Sequence, residues 1–181
     1  MDSDLLATLA KHPVSLDSSH KTGFERADEL SQRIRGVKLT CGNAGKLTRL
    51  TALYKPSEFS VFGGSTEWLL PGLASKSCGA VTGLANTHPR SCVELFKQFR
   101  AGRLTEAVQL QGSISCAEWA MGKTGMAGTK YAVEFVRKCG KTLPRRPLLE
   151  SDEATKSWIE KTISPLNMVE KSLQYRLNGH S

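Results

Sequence analysis

Residues 34–40, Ile34-Arg35-Gly36-Val37-Lys38-Leu39-Thr40, are the first of three short strand-like stretches that each run through a loop into a helix. Side chains along a strand alternate between faces, so Val37 and Leu39 share one face and Lys38 takes the other. Burial disfavours the charged form of a lysine, and a neutral amine attacks carbonyl carbon, which is how a Schiff-base enzyme prepares its nucleophile. For these seven residues alone, a lysine on an edge strand facing water is the commoner reading. The next stretch, residues 40–50, is punctuated by Gly42 and Gly45 and enters a helix over 46–54, with Leu47, Leu50 and Leu53 on one face. A second strand over 59–62 closes on Gly63-Gly64-Ser65 and leads to a helix over 66–74. A third over 79–84 closes on Ala85-Asn86.

This order resembles the dihydrodipicolinate synthase / N-acetylneuraminate lyase family of Schiff-base lyases and aldolases. The family pattern is Gly-x-Lys on strand six, a Gly-Ser or Gly-Asp pair closing strand seven, and Gly-x-x-(Ser/Gly)-x-x-Ala-Asn on strand eight. Here stand Gly36-Val37-Lys38, Gly64-Ser65 and Gly79-Ala80-Val81-Thr82-Gly83-Leu84-Ala85-Asn86. The likeness continues through residues 96–107, which look like the family's helix-turn-helix after the barrel, and covers roughly 34–173. The resemblance implies that the Lys38 amine condenses with the keto carbon of pyruvate or a related 2-keto acid. The iminium then acts as an electron sink for making or breaking a carbon–carbon bond. It also implies that Gly64 and Ser65 let backbone approach substrate, that the Val81 carbonyl lines the keto-acid pocket, and that Asn86 organises the following loop. No metal and no cofactor are implied. The small-molecule partners would be a 2-keto acid and an aldehyde, and the full-length family member would be a homo-oligomer.

The fold class expected is α/β, as a partial (β/α)8 TIM barrel: strands six to eight with their helices, then a C-terminal helical extension. The chain has 181 residues, whereas a complete barrel takes about 200 to 250 or more, so it reads as the C-terminal half of its family. Residues 1–13 read as the remnant of barrel helix five, with Ser3 as cap and Leu5, Leu6 and Leu9 on one face. Residues 33–102 read as barrel units six to eight, and 103–181 as the C-terminal helical region. Residues 14–32 are polar and do not fit. Removing them joins His12-Pro13 to Arg33-Ile34 with the family's one-residue spacing before Ile-x-Gly-x-Lys. The segment therefore reads as a translated intron, with Met1 an internal start; a surface loop is the competing reading. Transcript reads passing directly from the Pro13 codon to the Arg33 codon decide between them.

In the last region the pattern predicts a helix over 89–102 that starts at Pro89 and one over 104–121. A break follows over 122–128, then a helix over 129–139. After an extended connector at 143–147, Ser151-Asp152-Glu153 caps a helix to about Ile163, with 167–177 as a possible extension and 178–181 frayed.

Two motifs mislead. Ala117-Glu118-Trp119-Ala120-Met121-Gly122-Lys123-Thr124 fits a loose phosphate-loop pattern, but such a loop must follow a strand and open a helix, and this one ends a helix. Gly64-Ser65-Thr66-Glu67 resembles the family's carboxylate-binding loop, which belongs early in the barrel. The early Thr/Ser pair that grips the substrate carboxylate and the Tyr of Tyr-Asn-x-Pro have no counterpart here. Lys38 then lacks an anion site and an acid/base partner.

The formal net charge is +8, from 25 Lys+Arg against 17 Asp+Glu. These charges are dispersed; the one tight cluster, Lys138, Lys141, Arg145 and Arg146, has no interleaved aromatics, which argues for solvated helix faces rather than nucleic acid. No run approaches the ~20 apolar residues of a membrane span. Five cysteines without metal-pair spacing, and histidines scattered at His12, His20, His88 and His180, argue against a zinc site or disulfide framework. A reducing, cytoplasmic compartment is expected, with a mitochondrial one possible for a full-length parent. The function expected is a class I lyase or aldolase on 2-keto acids: a 4-hydroxy-2-oxoglutarate or 2-keto-3-deoxy sugar acid aldolase, or a dihydrodipicolinate synthase. The alternative is a catalytically inactive fragment of that family.

Overall fold

A computed structural model of the chain describes residues 3–11 and 35–177. Its elements run α1 (Ser3–Lys11), β1 (Gly36–Leu39), α2 (Ala44–Leu53), β2 (Ser60–Gly63), α3 (Leu69–Ala74), β3 (Gly79–Ala80), α4 (Pro89–Arg100), α5 (Leu104–Arg137) and α6 (Glu153–Leu177). Short 3-10 turns at Thr66–Trp68 and Leu84–Asn86 follow β2 and β3. The polar segment 14–32 lies outside the described residues.

Each strand is followed by a helix that returns the chain to the same end, so the strands align in parallel, in the order β1-β2-β3. Alternation decides the faces. Leu39 and Val61 are buried with Leu47 and Leu50 of α2, Phe59, and Leu6 and Ala10 of α1. Lys38 is exposed on the other face. Leu6 and Ala10, not Leu5, form the inner side of α1. Ser3 is the first residue of α1; its Oγ accepts from Arg49 Nη2 at 2.9 Å, and Tyr54 Oη donates to the Ala7 carbonyl at 3.2 Å, which together lash α1 to α2. Asn43 caps α2 by accepting from the Lys46 amide at 2.8 Å, so the helix starts earlier than the leucine spacing indicates.

A second apolar core joins α3, α4, α5 and α6 around Leu95, Ile114, Ile159 and Ile163. Here two expectations are corrected. The break over 122–128 shrinks to one residue: α5 kinks at Gly125, whose φ of 64° and ψ of −151° suit glycine alone, and runs on to Arg137. The helix expected to stop near Ile163 continues to Leu177 through Pro165. Pro165 lies on the exposed side of α6, where the carbonyl deprived of its N–H partner is reached by water. The third strand is also shorter than expected, because the Thr82 hydroxyl is drawn to Glu118 and the chain winds into the 3-10 turn.

Polar side chains of α6 dock α4. Glu170, buried, accepts from the backbone amides of Arg90 at 3.0 Å and Ser91 at 2.8 Å, and from Ser91 Oγ at 2.7 Å. It thereby satisfies the free N–H groups at the start of α4. His88 is fully buried between Thr87 Oγ1 and Asn167 Oδ1, each at 2.8 Å. Burial holds the imidazole below its ordinary value of 6.5, against opposing pulls from Asn167 and Glu170. The unfolded chain thus takes up a proton near 6.5 that the folded chain refuses until lower pH. The His88 contribution to stability is full above 6.5 and is lost as pH falls from there towards the folded-state value. Melting temperature measured against pH should decline across this window, and His88→Gln should flatten that part of the profile.

Candidate active site

The C-terminal ends of the three strands bring Lys38, Gly64, Ser65 and Val81 to one edge of the sheet. Lys38 pairs in register with Phe62, which pairs with Gly79. Two residues further on, Gly64 donates its amide to the Leu39 carbonyl at 2.8 Å and Val81 donates to the Gly63 carbonyl at 2.9 Å. Thr40, Gly64 and Val81 therefore stand level, and by the two-residue period they share the open face with Lys38. Val81, expected within a strand over 79–84, lies just past β3 and is 50% exposed.

Gly64 is fixed by close approach. A Cβ there would lie 2.5 Å from Thr40 Cα and 2.8 Å from the Leu39 carbonyl oxygen. Ser65 has a local role: its Oγ accepts from the Glu67 amide at 3.1 Å and caps the 3-10 turn. Asn86 does organise its loop, donating Nδ2–H to the Gly83 carbonyl at 3.0 Å. Beside Lys38, the exposed Cys41 thiol is held below its usual value by hydrogen bonding to the Asn43 backbone and by the charge of Lys46. Burial pushes the Cys92 thiol the other way, up to about 12.

A buried acid underlies this edge. Glu118 of α5 is 9% exposed. Its Oε2 accepts from the Thr66 amide at 3.1 Å and from the Thr82 hydroxyl at 2.6 Å, and the Thr66 hydroxyl donates to it as well. Beside it Gln111 donates to the Thr66 carbonyl at 2.7 Å and accepts from the Leu70 amide at 2.8 Å, while Ser115 donates to the Glu67 carbonyl at 2.9 Å. Motif reasoning missed this contact. Its signal was the spacing of Gln111, Ser115 and Glu118 at i, i+4 and i+7, a polar line bordering the apolar face of Ala107, Leu110, Ile114 and Met121. The phosphate-loop look-alike at 117–124 lies within α5, with Lys123 Nζ 5.2 Å above the Trp158 ring. Among the described residues no group of three His, Cys, Asp or Glu could hold a metal ion, and no helix is long and apolar enough to cross a membrane.

A profile of the Dihydrodipicolinate synthetase family matches residues 22–166. The chain belongs to this family. An L-threo-3-deoxy-hexylosonate aldolase of Hypocrea jecorina is 35% identical over 180 residues, covering 96% of this chain and 51% of that protein. A Coccidioides immitis protein named as a mitochondrial 4-hydroxy-2-oxoglutarate aldolase is 34% identical over 168 residues, 88% of this chain and 52% of its own length. A crystal structure of a dihydrodipicolinate synthase family protein from Coccidioides immitis superposes with a TM-score of 0.75 at 29% identity, covering 94% of this chain and 52% of that one. A prophage protein of the family from E. coli K12, in complex with pyruvate, shares the fold at a TM-score of 0.67 and 21% identity, over 74% of this chain and 46% of its own. The chain spans about half the length of the curated relatives it matches.

Because the Gly64 contacts are with backbone, Gly64→Ala must push β1 and β2 apart at the site. A loss of about 1–3 kcal/mol is expected, readable by urea denaturation. Gly45→Ala, where a Cβ meets nothing closer than 3.4 Å, serves as the control.

Proposed function

We propose that the chain carries the Schiff-base half of a class I lyase or aldolase acting on pyruvate-type 2-keto acids. The observation that carries this reading is Lys38 on the open face of β1, one pleat below the peptide groups of Gly64 and Val81. In the proposed reaction the Lys38 amine attacks the keto carbon and water leaves. The resulting iminium accepts the electron pair of the carbon–carbon bond that breaks, or releases it to the bond that forms. Gly64, Ser65 and the Val81 carbonyl would border the keto acid. Relatives bear the names 4-hydroxy-2-oxoglutarate aldolase, L-threo-3-deoxy-hexylosonate aldolase and 4-hydroxy-tetrahydrodipicolinate synthase. These names support a small-molecule 2-keto acid, with an aldehyde as second substrate.

The same reading assigns β1, β2 and β3 to strands six to eight of a (β/α)8 barrel, within residues 33–102. Residues 1–13 then belong to the preceding helix, and 103–181 form the helical extension. It also places the protein in the cytoplasm or, as two relatives' names say of them, the mitochondrion. A catalytically inactive fragment is the second reading. It is favoured by the exposure of Lys38.

Intact mass after incubation with pyruvate and borohydride separates the two. The expected outcome is a reduced pyruvate adduct that peptide mapping assigns to Lys38 and that Lys38→Arg abolishes. Folded protein that gains no adduct would overturn the lyase reading and leave the inactive fragment.

A further inference from the structure

We infer that Glu118 is a positioning residue for this site: from outside the strand–helix units, its carboxylate fixes the ends of β2 and β3 relative to each other. The consequence for substrate rests on the lyase reading; the geometry does not. Thr66 directly follows Ser65, and Thr82 directly follows Val81. One carboxylate oxygen, Oε2, receives the Thr66 amide at 3.1 Å and the Thr82 hydroxyl at 2.6 Å, with the Thr66 hydroxyl as a further donor. Oε1 also receives the Thr82 hydroxyl, at 2.7 Å. The Thr82 oxygen in turn accepts from the Leu84 amide at 3.3 Å, which carries the restraint into the turn after β3. The two loops proposed to border the keto acid thus meet at one buried charged acceptor. Hydrogen bonds to a charged group are stronger than neutral ones, and a buried donor left without a partner is costly.

A plain helix-packing role is the competing account, and the structure allows the two to be separated. Gln111 and Ser115 hold α5 to the Thr66 and Glu67 carbonyls and to the Leu70 amide independently of Glu118. Removing the carboxylate therefore leaves α5 anchored while freeing Thr66 and Thr82. In Glu118→Gln the amide oxygen still accepts from Thr66 and the amide nitrogen donates to the Thr82 oxygen, so the bridge persists without the charge.

The test titrates pyruvate in the borohydride trapping of Lys38 for wild type, Glu118→Ala and Glu118→Gln. Amide hydrogen exchange is followed in the same proteins. Glu118→Ala should raise the half-saturating pyruvate concentration about tenfold or more, with adduct yield at saturation preserved, and Glu118→Gln should largely restore it. The amides of Thr66 and Leu84 should exchange faster together in Glu118→Ala, while Leu70, held by Gln111, should not change. An unshifted half-saturation in folded Glu118→Ala would overturn the inference. So would a uniform rise in exchange along α5, or an unchanged Leu84 amide. If wild type traps no pyruvate, the lyase reading fails, and the paired exchange at Thr66 and Leu84 alone decides whether Glu118 positions the loops.

Discussion

Glu118 and Glu170 solve the same physical problem at two places. The short helical segments that leave the sheet expose backbone N–H groups at their starts, and those starts are covered by protein instead of water. An unpaired buried donor costs free energy comparable to a lost hydrogen bond. Two long helices supply the missing acceptors: Glu118 of α5 at the turn after β2, and Glu170 of α6 at the start of α4. Both carboxylates are buried. The apolar core of α3 to α6 can close only because these polar ends are satisfied as it closes. His88 and Asn167, beside Glu170, extend the same arrangement.

The sheet meets the opposite condition. Its inner face is packed by Leu39, Val61 and the leucines of α2, while Lys38 on the other face is exposed. The Lys38 amine can therefore meet a small molecule. Glycine sets the spacing: at Gly64 the strand ends approach so closely that a Cβ would overlap Thr40. A lysine on the open face, level peptide groups just beyond it and a buried acid behind them make one continuous arrangement, built by elements distant in sequence.

Much of this was legible in the sequence. Strand–loop–helix order, the facing of Lys38, the glycines at the strand ends and Pro89 at the start of α4 are local signals, and the structure agrees with them. The errors fell where local signals compete with packing. Glycines at 122, 125 and 128 read as a broken helix, yet only Gly125 leaves helical geometry. The Thr124 side chain, and behind it Ile159 of α6, crowd Gly128, which needs the small residue for contact rather than for a bend. The last helix read as ending near Ile163, yet α6 continues through Pro165 because Ile163 and Leu166 on either side are buried in the core. Val81 read as part of the third strand, yet it lies beyond a strand that Thr82 and Glu118 cut short.

The sequence by itself determined the alternation of strand and helix, the side of the strand from which Lys38 projects, and the family to which the chain belongs. The first two depend on residues a few positions apart, where a two-residue or 3.6-residue period and a glycine's freedom suffice, and the family is read from the resemblance of residues 36–38, 64–65 and 79–86 to its pattern. Only the tertiary structure decided that Glu118 bridges Thr66 and Thr82, that Glu170 caps α4, that α5 resumes at once after its kink at Gly125, and that α6 runs on through Pro165. The two carboxylate contacts join residues 36 to 80 positions apart. They exist because burying one group obliges the chain to bring a partner to it, and no short period in a sequence records where that partner comes from.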